Sequence, residues 1–199
     1  MGLDNHYLIT VPRSRLDKAA EYLLQHCQLS DSQRADPLWC ADRCLSMLVQ
    51  PDIAIKRYLR DYYAGRYDPG YQEEKIEKFI TDGQVAIGCV DTTTKITGDK
   101  AHLRFVCATT DMSDLFTDSV SIRAWFEQLC AVAGAETGIY FRENCYAELF
   151  WYKGTRHSFK ISPELLDELY DANTSRPLEE AASALLKAGF DYAYEYERK

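Results

Sequence analysis

The sequence predicts an α+β protein: a largely antiparallel sheet of about six or seven strands packed by helices, with a helical N-terminal part. Three observations predict it. Aromatic residues fall in short alternating runs, clearest in Tyr146-Ala-Glu-Leu-Phe-Trp-Tyr152 and Phe190-Asp-Tyr-Ala-Tyr-Glu-Tyr196, and alternation of this kind marks half-buried strands. The runs come in pairs joined by turn sequences instead of alternating singly with helices, which favours hairpins over parallel crossovers. Over residues 14–81 the apolar positions recur instead at helical spacing.

Residues 7–11 read as a strand stopped by Pro12. Ser14 caps a helix whose Leu16, Ala20, Leu23, Leu24 and Cys27 form one stripe. Polar residues 28–35 read as a loop. Asp36-Pro37 is a helix start, and Leu38, Ala41, Leu45, Leu48 and Val49 extend that helix towards Gln50. Pro51 opens another helix on Ile53, Ile55, Tyr58, Leu59 and Tyr62, ended by Gly65. Tyr67-Asp-Pro-Gly70 is a turn. Residues 71–81 make one more helix on Tyr71, Ile76, Phe79 and Ile80, with Gly83 ending it.

The pattern changes at residue 84. Two apolar runs, 84–91 and 101–109, form a hairpin with a moderately long loop that includes Gly98-Asp99. Residues 111–118 read as a polar loop. Residues 119–133 form an amphipathic helix with Ile122, Trp125, Phe126, Leu129 and Cys130 inward. Three strands follow, 138–142, 145–152 and 156–161, with turns at Glu143-Asn144 and Lys153-Gly154. Helices from Ser162-Pro163 to residue 171 and from Pro177 to Gly189 precede a last strand, 190–197. One domain, 1–199, is expected. Residue 83 is the nearest candidate boundary, but strand 7–11 would then have no sheet to join.

Composition narrows the function. A net charge of -8 disfavours a nucleic-acid binder, which needs a basic face, and suits a protein partner with a basic surface. Lys56, Arg57, Arg60 and Arg66 interleave with Tyr58, Tyr62, Tyr63 and Tyr67 in the one segment that could contact nucleic acid; long side chains covering an amphipathic helix explain it equally. Seven cysteines, an odd number set mostly among apolar residues, fit reduced thiols in a cytoplasmic protein. No leader pattern and no apolar run of about 20 residues is seen, so no membrane span is expected.

No phosphate-binding loop or nucleophile-elbow motif is present, and no cofactor is expected. Cys40 and Cys44 share a face if helical, but no paired soft ligands accompany them, so no metal is expected. A distant thiol–imidazole pair, such as Cys145 or Cys107 with His157 or His102, is available by number alone. Asp111, Asp114 and Asp118 lack the spacing of a calcium loop and read as solvated acids.

The hairpin 145–161 is the most specific local feature. Alternation puts Tyr146, Glu148, Phe150, Tyr152, His157, Phe159 and Ile161 on a core face, with Glu148 opposite Phe159 and diagonal to His157. Those two are the catalytic candidates, an acid/base couple if they lie in a pocket. The other face carries Leu149, Trp151 and Arg156, where an exposed indole beside a guanidinium would make a binding anchor. The expected function is non-enzymatic protein binding, as an inhibitor or immunity-type protein that occludes the active site of a toxin or enzyme. Its expected partner-binding residues are Trp151, Arg156, Leu149, Tyr62, Tyr63, Tyr67, Asp111 and Asp114. The alternatives are a small hydrolase or transferase using His157 and Glu148 or a thiol, and a self-associating subunit with strand 190–197 as its open edge, making a homo-oligomer.

Overall fold

Both faces of one central strand are buried, and the rest of the fold is arranged around it. The computed structural model describes residues 5–67, 79–107, 110–142 and 146–161. The helices and last strand expected beyond residue 161, and the greater part of the helix expected over 71–81, lie outside these residues. In chain order the elements are β1 (His6–Pro12), a 3₁₀ turn (Arg13–Arg15), α1 (Leu16–His26), β2 (Cys27–Gln28), α2 (Asp31–Ala35), β3 (Cys44–Val49) and α3 (Ile53–Tyr67). They continue as β4 (Ile80–Thr81), β5 (Gln84–Thr97), β6 (Lys100–Cys107), α4 (Thr110–Asp118), α5 (Val120–Ala133), β7 (Thr137–Arg142), β8 (Tyr146–Tyr152) and β9 (Thr155–Ile161).

The strands form one antiparallel sheet in the order β2-β3-β5-β6-β1-β7-β8-β9, with β4 pairing β5. The α+β class and the antiparallel sheet agree with the sequence reading. The strand count does not: nine are present among the described residues. Nor is the N-terminal part simply helical, because it supplies β1 to β4. Strand β1 sits between β6 and β7, and β3 pairs β5, so segments on both sides of residue 83 share the sheet.

The largest departure is at 36–50. Asp36 closes α2 rather than opening a helix, and residues 44–49 form β3. Leu45, Met47 and Val49 are buried at every second position, a period the leucines alone had masked as helical. Cys40 therefore lies in a loop and Cys44 on a strand, not on one helical face. Residues 111–118, expected as a polar loop, belong to α4 (Thr110–Asp118), whose Leu115 and Phe116 are buried while Asp114 and Asp118 face solvent. The expected loop 28–35 contains β2 and the capped helix α2. At 80–83 a short strand and a turn replace the helix end. The β5–β6 connection is only Gly98-Asp99, because both strands run further than their apolar cores.

The helices pack on one face of the sheet. Tyr7, Ile9 and Val11 from β1, Leu103 and Phe105 from β6, Met47 from β3 and Ile87 from β5 meet Tyr22 and Leu23 of α1, Phe116 of α4, and Ile122, Trp125, Phe126 and Leu129 of α5. Tyr7 stacks on Phe126 at 3.8 Å between ring centroids and stands edge-on to Phe150. Its hydroxyl donates to the Phe116 carbonyl at 3.2 Å, and Tyr22 donates likewise to Trp125 at 2.9 Å, so both phenols bury an apolar ring without stranding a donor. On the opposite face, His6, Leu8, Thr10, His102, Ile139, Phe141 and Leu149 are buried as well.

Candidate functional site

The β8–β9 hairpin turns as its sequence demands. Lys153 and Gly154 both have positive φ, 46° and 83°, the two-residue turn whose twist matches a right-handed ribbon. Tyr152 pairs Thr155 and Trp151 pairs Arg156, in the expected register. Beyond that pair the register shifts between Leu149 and Trp151. A shift also separates Gly138 from Ile139 on β7. The bulge reverses the expected side of Trp151. Leu149 stays on the face of Leu8 and Ile139, while Phe150 and Trp151 both join the helix-side core. Glu148 then pairs Lys160, and Leu149 takes the place opposite Phe159.

Two of the expected binding residues are buried. Trp151 is 6% exposed and Leu149 is 4% exposed, so neither protrudes as a binding anchor. The Trp151 indole donates to the Ala135 carbonyl at 3.0 Å. Arg156 is exposed, and its Nε reaches Glu127 on α5 at 2.9 Å instead of stacking on the indole.

Glu148 is buried on the helix side, as alternation expected, but its partners come from elsewhere. It accepts a close charged hydrogen bond from Arg123 of α5 and one of 3.2 Å from Ser158. Arg123 also lies 3.8 Å from Glu127 and places its guanidinium carbon 4.6 Å from the Phe150 ring centre. The result is a ladder Glu148–Arg123–Glu127–Arg156 that ties α5 to the hairpin. A carboxylate held by a fixed guanidinium is an acceptor already engaged, and this suits clamping better than proton transfer. The His157 side chain lies outside the described ones, and the expected Glu148–His157 couple with it.

Beside the ladder, the C-terminal end of α5 and the β8–β9 turn enclose an open recess of about 390 Å³. Its walls are Cys130, Ala131, Ala135 and Trp151, with Gly134, Glu136, Lys153 and Gly154 around the rim. Gly134 ends α5 in the left-handed conformation, φ 62°, the cap that residue type permits at least cost. Glu136 pairs with Lys100 at 2.7 Å, and the Lys153 ammonium lies 4.9 Å from the Tyr152 ring centre. Burial pushes the Cys130 thiol well up, and does the same to Cys27, to about 12. Neither is a thiolate at neutral pH, so neither is poised as a nucleophile. The recess is an apolar socket with a charged rim.

The other expected binding residues lie outside the recess lining, on α3 and α4, which pack against each other. Tyr62, Tyr63 and Tyr67 lie on α3 and Asp111 on α4, with side chains outside the described ones. Asp114 is exposed on α4. Lys56, Arg57 and Arg60 line the solvent side of α3; Arg57 pairs with Asp118 at 2.7 Å and Arg60 with Asp61 at 3.0 Å. No group of three or more metal-ligating side chains is present among the described residues, and no described helix is long and apolar enough to cross a membrane.

Sequence reasoning did not place at the surface the two most exposed large apolar residues among the described ones. Ile53 is 86% exposed and Val120 is 72% exposed. Each lies at a helix start that Asp52 serves: its carboxylate caps α3 through the Ile55 amide at 2.9 Å and also accepts from the Ser119 hydroxyl at 2.7 Å and the Ser121 amide at 2.9 Å. Ile53, expected on the apolar stripe of its helix, is corrected to the solvent side, because Ile55 and Leu59 take the buried face of α3; Val120 lies off the inward set Ile122, Trp125, Phe126 and Leu129 of α5. Comparison with protein-family models, curated proteins and solved structures finds no match for the chain.

Proposed function

We propose that this is a non-enzymatic protein-binding protein of inhibitor or immunity type, and that the Trp151-walled recess receives one apolar side chain of its partner. The observation that carries the reading is the make-up of the recess: apolar walls, a charged rim already engaged, and a thiol that burial keeps protonated. An active site needs convergent groups able to exchange protons or attack a substrate, and Glu148 does not line the recess and is held by Arg123. Apolar walls suit an anchor side chain, the element that concentrates binding energy in many protein contacts. Net charge of -8 favours a partner with a basic surface, drawn in by long-range attraction.

Filling the socket tests the reading. Ala131 is exposed, so Ala131→Trp adds bulk there without entering the core. Affinity capture from the native source should recover a basic protein with the wild-type chain and lose it with the variant, whose melting temperature should match wild type. Identical captured sets with both proteins would remove the recess from the binding surface.

A further inference from the structure

Strand β5 outruns its outer neighbour. It extends from Gln84 to Thr97, but β3 pairs with it only between Val85 and Asp91. Past Asp91 the chain leading into β3 has turned away. Its last contact is the Arg43 carbonyl, which accepts from the Thr92 amide at 3.0 Å. Strand β6 covers the inner side of β5 as far as Thr97, so among the described residues 92–97 form an open edge of the sheet. The Thr92 bond fixes which groups point outward. In an antiparallel ladder the direction alternates residue by residue. Thr92 turns away from β6, and Thr94 and Ile96 therefore turn both N–H and C=O to the open side. The two-residue hairpin loop Gly98-Asp99, closed by Thr97 and Lys100, requires the same phase. Every residue of 92–97 except Lys95 is β-branched, which holds this edge extended.

We propose that this edge docks an extended, acidic segment of another protein, which joins the sheet as a strand antiparallel to β5. The main chain supplies the first argument. Thr94 and Ile96 present donors and acceptors in a row at strand spacing, a pattern that an extended peptide matches and a helix does not. Antiparallel entry continues the line that β3 leaves at Arg43. Side chains supply the second argument. On the sheet face away from the helices, β5 carries Lys95, and β6 carries Arg104 opposite Thr93. Arg104 is half-buried, and its Nε is buried without a hydrogen-bond partner. A carboxylate opposite Thr93 reaches over that small residue to the guanidinium, and one opposite Lys95 meets the ammonium. Asp91, the acid in the same row, stands at the end that β3 already covers. The net charge of -8 acts at longer range, whereas a docked carboxylate lies within a Debye length, about 8–10 Å, of the two cations. A second copy suits the edge less well. Pairing Thr94 of one copy with Ile96 of the other would set Lys95 opposite Lys95, and like charges directly opposite destabilise a ladder. The site is separate from the Trp151 recess and does not depend on it.

Amide hydrogen exchange of the whole chain, followed by NMR, tests this with a synthetic hexapeptide of alternating Glu and Val as the probe. Without probe, the Thr94 and Ile96 amides should exchange fast, and those of Thr93 and Lys95, bonded to β6, slowly. Saturating probe should slow Thr94 and Ile96 about ten-fold or more. A probe methylated at its Val nitrogens, the ones that face β5 when Glu lies opposite Thr93 and Lys95, should bind about ten-fold more weakly. Thr94→Pro removes an outward donor and no bond to β6, a change that edge strands accept; it should abolish probe binding at a near-wild-type melting temperature. A Lys–Val probe should bind more weakly than the Glu–Val one, and Arg104→Gln should narrow that difference about five-fold. The proposal is overturned by unprotected Thr94 and Ile96 amides at millimolar probe, by undiminished binding of the Val-methylated probe, or by equal binding of the Glu and Lys probes.

Discussion

Gly138 shows how closely the hairpin sits on its neighbour. A Cβ built there would lie 2.7 Å from the Phe150 ring and 2.9 Å from the Trp151 Cβ, nearer than carbon atoms approach without displacement. The bulge causes the crowding, since it turns two large side chains towards the strand where regular pairing would turn one. Gly138→Ala should cost about 1–3 kcal/mol, the range for adding bulk to a filled core, measured as a lower denaturation midpoint. An unchanged midpoint would mean that β8 moves freely, and the recess wall built on Trp151 would then be less fixed than this crowding implies. In the sequence Gly138 marks only a strand start. Nothing in its immediate neighbours announces that Phe150 lies across it, because that approach depends on a register shift between two strands.

At the scale of elements, one carboxylate joins two helix starts. Asp52 caps α3, accepts from Ser119 and Ser121 at the start of α5, and lies where both helix dipoles favour negative charge. Burial alone would raise its pKa; the Ile55 and Ser121 amides and the Ser119 hydroxyl outweigh that and hold the carboxyl below its ordinary value. A depressed folded-state value means that the stabilisation is fully present above the unfolded aspartate pKa of about 3.9 and is lost as pH falls through the folded value. Asp52→Ala removes support from two helix ends and should cost about 1–2 kcal/mol near neutral pH. The gap between wild type and variant should narrow in urea titrations below about pH 4; a gap that stays constant there would show that the ionised carboxylate is not the cause. The sequence reading opens this helix at Pro51 without singling out Asp52, and the tie to α5 is a matter of tertiary placement. Helix α5 itself is legible from end to end, with Ser119 as its cap, an inward stripe and Gly134 as its stop. Strand β3 is not, because five apolar residues at mixed spacing satisfy a helical and a strand period alike. Its pairing with β5 settles the ambiguity.

For the whole molecule, chain order and spatial order diverge. The strand nearest the N-terminus is hydrogen-bonded on both sides by strands formed about a hundred residues later, and the segment before residue 83 provides both β1 and β3 to the sheet. Residues 84–161 expressed without 5–67 should therefore lack a cooperative thermal transition, with β6 and β7 exposing the edges that β1 occupies. A sharp transition in the fragment, followed by circular dichroism, would show instead that the C-terminal strands close on themselves.

The sequence by itself determined the α+β class, strand β1, helices α1, α3 and α5, the hairpin turn at Lys153-Gly154, and the overall negative charge. Each is a local or compositional property, written in capping residues, turn residues and periodic burial over a few neighbours. Tertiary structure alone decided that residues 44–49 are a strand, that Trp151 turns inward as the wall of a recess, that Glu148 is held by Arg123, and that Asp52 joins the starts of α3 and α5. All four depend on partners distant in sequence or on a one-residue slip in register. Such a slip exchanges the buried and exposed sides of a strand while leaving its local pattern unchanged.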